Sequence, residues 1–475
     1  MVSLSFDDTT TQRLFGHEAA EDEDPKRLRE YYFRSGVFDR ATANMPLRIL
    51  VGHKGLGKSA LFQVAMQQDT SESAVSILLR PDDVHEVATN ADILAAIRSW
   101  KEGLLRIIHN RCLDAIGATS TGSPSVLSRG WKLLDSLASI AKPYLSKAVD
   151  VEVAKRKLAE SLITKKVVRV YIDDLDRGWT ATPTSISRLS ALLNAARDLV
   201  KDHEGLQFRI ALRSDVYYLV RTSDESTDKI EGSVVWYSWT NHEILSMLVK
   251  RIQSYIGNEF SEDQLVNMEQ YRLSSLLDSV MEPRFTGHGK WQNIPTYRML
   301  MSLIRRRPRD LVKLCTLAAH SAFKRKGKCI TSVDFASIFD EYSQGRLQDT
   351  VNEYRSELPE IETLMLSMKP SRQKRQTGKS LFVYTTADLL KKIRDIQSSQ
   401  AVFRFYGGRA ASEKDLAAFL YKINFLTGRR TDGNKIVRQY FEDNRYLSSS
   451  FVDFGFDWEI HPAYRWALQP GETKT

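Results

Sequence analysis

The sequence predicts an α/β chain: a parallel sheet flanked by helices, then a helical domain, then a small α+β module. Three observations carry this. Short β-branched runs alternate with amphipathic helical patterns between residues 47 and 239, as expected of strands joined by helical crossovers. A glycine-rich stretch, GHKGLGKS at 52–59, separates the first strand of that series from its first helix. From residue 240 apolar residues recur at helical spacing, and from 346 helices give way to alternating aromatic and polar residues.

Taken in order, residues 1–46 form a polar N-terminal flap. Its acidic cluster, Glu18, Glu21, Asp22, Glu23 and Asp24, leads into KRLREYYFRSGVFDRA. That stretch reads as one helix with Leu28, Tyr31, Tyr32 and Phe38 on its apolar side, Asp24 as its cap and Pro25 in its first turn. Residues 47–239 form the core. Its strands are expected at 47–51, 74–80, 166–174, 206–215 and 233–237. Its helices are expected from Lys58, over about 91–112 and 130–162, and over 185–199, with a Ser/Gly/Pro-rich loop at 115–130. Residues 240–345 form a helical lid domain. Residues 346–475 form a C-terminal winged-helix-like domain, two or three helices followed by a short hairpin, entered through the basic stretch SMKPSRQKRQTGKS.

Composition narrows the class. A 42% hydrophobic and 27% charged chain of 475 residues is globular, long enough for a full core, and neither disordered nor coiled-coil. Three cysteines cannot build a disulfide framework, and none sits in a CxxC or similar metal spacing, so a cytoplasmic protein is expected. The N-terminus lacks the basic start and apolar run of a secretory signal, and no stretch reaches about 18 uncharged apolar residues, so no membrane insertion is expected. Lys and Arg exceed Asp and Glu by 68 − 59 = 9. That surplus permits DNA or RNA as a partner without requiring it.

The most specific signal is Gly52-His53-Lys54-Gly55-Leu56-Gly57-Lys58-Ser59, which fits GxxxxGK[ST] between a strand and a helix. Gly52, Gly55 and Gly57 let the backbone wrap an anion, and the helix that follows, with Ala60 in its first turn, aims its positive end at phosphate. Lys58 is expected on the β- and γ-phosphates and Ser59 on Mg²⁺, which makes ATP with Mg²⁺ the expected ligand and a P-loop NTPase the expected core. His53 is expected to point away from the ligand.

The partner of this loop is an acidic strand end, VVRVYIDDLDR. Asp173 is expected to organise the metal, provided its strand runs close to the loop. Asp174 or Asp176 would orient the attacking water; the sequence does not rank them. At the end of the next strand, LRSD supplies Arg213 as a group able to touch the γ-phosphate or simply pair with Asp215. Arg209, in mid-strand, is read as an edge or packing residue. In RRRPRDL, Arg309 lies in a helix's first turn, where a cation opposes the dipole and calls for an anion, either nucleotide or Asp310. Arg305, Arg306 and Arg307 are read as a solvated or inter-subunit face, with these and Arg177 as candidates for an arginine acting across subunits. The nine histidines form no metal-ligand pattern, and Cys112, Cys315 and Cys329 read as buried or incidental.

Together, FGHEAAEDEDPKRLREYYF, GHKGLGKSALFQ, VYIDDLDRGW, IALRSDVY and RPRDLVKL resemble bacterial P-loop ATPases of the KAP and STAND-like type, in the AAA-like division, associated with anti-phage defence. The resemblance spans residues 15–345, and IDDLDR is its most specific string. It implies an ATPase core, a helical lid and a homo-oligomeric switch. Lys58 and Ser59 take the phosphate-loop roles, Asp173 and Asp174 the acidic-strand roles, Arg213 the sensor and Arg309 the lid arginine. The membrane insert of some KAP proteins is absent between Lys58 and Asp173, and no nuclease, TIR or protease domain is recognisable, which points to a separate effector protein. Two other readings compete with such a switch. One is a nucleic-acid-dependent ATPase or loader, and the other a scaffold stabilised by ATP with little turnover.

Overall fold

In the computed structural model, residues 4–469 are described apart from 72–73, 86, 88–91, 116–159, 162, 165, 224, 288–290, 371–380, 400–401, 434, 445–446 and 448–454. Nearly all of the helix expected over 130–162 and of the 115–130 loop, and most of the basic stretch before residue 381, therefore lie outside the described residues. The chain divides into two compact units. One comprises residues 24–29 and 34–237; the other comprises 1–23, 30–33 and 238–475.

The first unit holds an all-parallel five-stranded sheet. Its strands are β1 (Leu47–Val51), β2 (Val75–Leu79), β3 (Val168–Ile172), β4 (Leu206–Leu212) and β5 (Val234–Trp236), in the order β2-β3-β4-β1-β5. The β-branched runs become strands because they are buried on both faces; every residue of β4 is buried. Helices Lys58–Ser71, Ile93–Ala115 and Pro183–Asp202 cover the sheet. Ile49, Ile77, Val170, Phe208 and Ile210 meet Trp100, Leu104, Leu192 and Leu193 in one core.

β4 pairs with both β1 and β3, so one strand stands between them. Arg209 is therefore in a central strand, and of the edge and packing roles expected for it, it takes the packing one. Its guanidinium is buried, its two terminal nitrogens donating to the carbonyls of Ala43 (2.7 Å) and Met45 (2.8 Å), and burial lowers its pKa to about 10. The N-terminal stretch also forms two helices, Pro25–Tyr31 and Gly36–Thr42, instead of one. Ser35 adopts an extended backbone and starts the second helix. Asp24 does cap the first, accepting from the Arg27 amide at 2.8 Å.

The second unit is mostly helical in its first part. Helix Pro308–Lys324 packs against Ser332–Tyr354, and Asp8–Phe15 against Pro308–Lys324 and Asn241–Ile256. A small antiparallel pair, β6 (Arg284–Phe285) and β7 (Ile294–Pro295), interrupts the helices. The chain ends in a winged-helix-like module: helices Thr386–Ser399 and Glu413–Lys422 beside an antiparallel sheet in the order β10-β9-β11-β8. Here β8 is Val383–Tyr384, β9 Leu426–Asp432, β10 Lys435–Gln439 and β11 Asp457–Ile460.

The arginine run in this unit is not a solvated face. Arg305 and Arg307 are 3% and 2% exposed. Arg305 grips Asp310 through two hydrogen bonds (2.8 and 2.9 Å) and donates to Thr350 and Tyr464, each at 2.8 Å. Arg346 donates to the same Asp310 at 2.8 Å, and Arg307 donates to Glu353 at 2.9 Å. Arg306 pairs with Asp443 at 2.8 Å and lies over the Tyr440 ring. Such charges are buried only because partners from other helices meet them. No described helix is long and apolar enough to cross a membrane.

Candidate functional site

All five strands of the sheet run the same way, so their carboxyl ends share one edge, where α/β sheets bind ligands. The glycine loop leaves β1 at that edge. The Gly52 amide donates to the Leu212 carbonyl of β4 (3.1 Å), and the Tyr237 amide donates to Val51 of β1 (2.8 Å). Gly55 and Gly57 take φ of +83° and +93°, open to glycine without strain. A Cβ on Gly52 would stand 2.6 Å from Leu56 Cδ1 and 2.9 Å from the Tyr237 carbonyl oxygen. Bare, curled backbone opening into a helix is the form of an anion-binding nest, so the loop fits a polyphosphate. Gly52→Ala is therefore expected to weaken ATP binding at least about tenfold and to cost about 1–3 kcal/mol of stability through overpacking. Titration with a fluorescent ATP analogue and thermal melting would check both.

Lys58 opens the helix. Its ammonium donates to the loop's own carbonyls, Gly52 at 2.8 Å and His53 at 3.0 Å. Ser59 and Ala60 follow in the helix's first turn, both half-buried. Lys54 is exposed, whereas His53 is 3% exposed with its ring Nδ1 hydrogen-bonded to Ser214 Oγ at 3.2 Å.

Two strands away, Asp173 and Asp174 leave β3. The Asp173 amide still donates to Leu79 of β2 (3.1 Å), so the strand's pairing runs up to the first acid. Asp174 is exposed and adopts φ +61°, which turns the chain out of the sheet; its amide donates to Asp173 Oδ1 at 2.9 Å. Asp176 follows in the turn.

Arg213 leaves β4 between them and is 7% exposed. It makes a two-pronged pair with Asp215 (3.0 and 2.6 Å) and reaches Asp176 at 3.3 Å. Asp215 was legible as a pairing option; the link to Asp176 was not, because it depends on β3 and β4 being adjacent. Arg177 is 67% exposed and sits 3.9 Å from Asp82, a surface pair of little energetic weight.

Arg309 belongs to the other unit. Its Nε donates to the Glu18 carbonyl at 3.1 Å, while Asp310, the anion expected beside it, is held by Arg305 and Arg346. Among the described residues no three His, Cys, Asp or Glu side chains converge as a metal site. A Mg²⁺ carried in on phosphates needs only one or two protein ligands, so that finding does not bear on Ser59 with Asp173. Burial pushes the Cys112 and Cys315 thiols up to about 12, which fits packing and not nucleophilic chemistry.

No family model matches the chain. It is similar to the transposon gamma-delta 80.3 kDa protein of Escherichia coli (strain K12), 23% identical over 515 residues that span 98% of this chain and 69% of that one. Among solved structures it aligns with the Walker-type ATPase PABY2304 of Pyrococcus abyssi at 12% identity and TM-score 0.40, covering 92% of this chain and 95% of that one. It also aligns with the Aeropyrum pernix ORC1 protein in complex with DNA, at 12% identity and TM-score 0.34, covering 99% and 96%. The Aeropyrum pernix ORC2 protein in its ADPNP–ADP complexes aligns at 12% identity and TM-score 0.37, covering 88% of each chain. These superpositions fall below a TM-score of 0.5. The P-loop NTPase fold of the core rests on its own strand order and on the glycine loop between β1 and the helix Lys58–Ser71.

Proposed function

We propose that the chain hydrolyses ATP with Mg²⁺ and uses the cycle as a conformational and oligomeric switch that controls a separate effector, in the setting of anti-phage defence. The observation that carries the chemistry is the shared strand edge. Phosphate-binding backbone, a lysine, a buried arginine and a group of carboxylates come from β1, β4 and β3 in adjacent order. Lys58 would release the loop carbonyls to meet the β- and γ-phosphates. Ser59 and Asp173 would hold the metal, which when bound withdraws charge from the phosphate oxygens. We assign the water-orienting role to Asp174, which directly follows Asp173 where the chain turns out of β3. Arg213, poised between Asp215 and Asp176, would exchange a contact as phosphate arrives or leaves, and so report it.

A nucleic-acid-dependent ATPase is the second reading. It is favoured by the β9–β10 hairpin, where exposed Arg430 accompanies exposed Ile436 and Val437, and by a relative named for a transposon. Phosphate release and particle size, measured with and without double-stranded DNA and RNA, separate the two. A switch is expected to change size with ATP and to ignore nucleic acid. Stimulation of several-fold or more by DNA or RNA, falling steeply with salt, would replace the first reading by the second. Asp174→Asn is expected to keep ATP binding and lose turnover; loss of binding together with turnover would remove the assigned role.

A further inference from the structure

We infer that His53 is a positioning residue that ties the phosphate loop to the exit of β4, so that loop and arginine move as one. This deepens the ATPase reading and rests on it. Between Gly52 and Gly57 the loop carries three side chains, His53, Lys54 and Leu56. Leu56 is packed and Lys54 is exposed. His53 is polar yet 3% exposed, and its partner Ser214 is also 3% exposed. A buried imidazole costs free energy unless hydrogen-bonded, and the Ser214 hydroxyl at 3.2 Å supplies such a bond.

The consequence lies in what the two residues hold. The His53 carbonyl accepts from the Lys58 ammonium (3.0 Å), so the same residue grips the lysine with its backbone and the exit of β4, at Ser214, with its ring. Ser214 directly follows Arg213, and Arg213 reaches Asp176 beyond β3. A continuous chain of contacts thus runs from Lys58 through His53, Ser214 and Arg213 to Asp176. When Lys58 leaves the His53 carbonyl for phosphate, the shift is passed to Arg213 instead of being absorbed by a slack loop. Nothing in the GxxxxGK[ST] pattern asks for histidine at its second position. The residue is explained by its partner Ser214, which opens the helix Ser214–Ser223 just past β4.

The test is a double-mutant cycle on the full chain with His53→Ala, Ser214→Ala and both, beside His53→Asn, whose amide can reach toward Ser214 as Nδ1 does. Turnover, affinity for a fluorescent ATP analogue with and without Mg²⁺, and nucleotide-free melting temperature are read for each. Each single alanine variant is expected to lose roughly tenfold in kcat, the scale of one hydrogen bond, with analogue affinity changed less than about threefold. The double variant is expected to be no worse than the weaker single, and His53→Asn to recover most of kcat. Multiplying losses in the double variant, or losses that follow melting temperature with no recovery in His53→Asn, would overturn the proposal while leaving Lys58-dependent ATP binding intact. A wild-type chain that binds no analogue would remove the ATPase reading and this inference together.

Discussion

Replacing Lys58 by Ala is expected to cut ATP turnover by about 10³-fold, the scale of losing one preorganised charged donor to a transferring phosphoryl group. The folded state should barely notice. Lys58 is half-buried and its ammonium is held by carbonyls of its own loop, a local contact outside the pairing of the sheet, so melting should move by no more than a few degrees. The measurement is phosphate release at saturating ATP, beside a thermal melt without nucleotide. Unchanged turnover would detach the glycine loop from the chemistry. A collapse in melting temperature would instead make Lys58 a structural clamp on its own loop.

The largest stability effect is expected from Asp310→Asn. Its carboxylate is 1% exposed and shared by Arg305 and Arg346. Removing one partner of a buried ionic cluster leaves uncompensated charge and costs about 3–5 kcal/mol. At roughly 2–4 °C per kcal/mol for a unit of this size, the melting temperature should fall by roughly 10 °C. Burial alone would raise the pKa of Asp310, but Arg305 and Arg346 beside it hold it well below the usual carboxylate range. The sign follows: a group depressed in the folded state stabilises fully above its unfolded value, about 3.9, and that stability is lost as pH falls toward the folded value. The difference between wild type and Asp310→Asn should therefore shrink as pH drops below about 4. A gap that stayed constant from pH 7 to pH 3 would mean the aspartate acts by shape and not by charge.

The five strands of the core were legible in the sequence because each is a short, largely apolar run bounded by turns, and the observed ends fall within a few residues of those expected. The glycine loop was legible because its chemistry is local. Strand order was not, since periodicity reports which residues are buried but not which strand lies beside which. That gap hid the insertion of β4 between β1 and β3, and with it the Arg213–Asp176 contact. Arg305 and Arg307 were misread for a related reason. A run of arginines looks solvated until its partners are known, and these lie at Glu353, 46 residues on from Arg307, and at Tyr464, 159 residues on from Arg305. The break at Ser35 was hidden because apolar residues on both sides kept helical spacing.

The interposed β4 also sets a width. Neighbouring strands stand about 4.8 Å apart, so the banks carrying Lys58 and Asp173 are separated by roughly 10 Å. Side chains from the two outer banks would have to lean inward over the exit of β4 to share one cation, which puts whatever they hold beside Arg213.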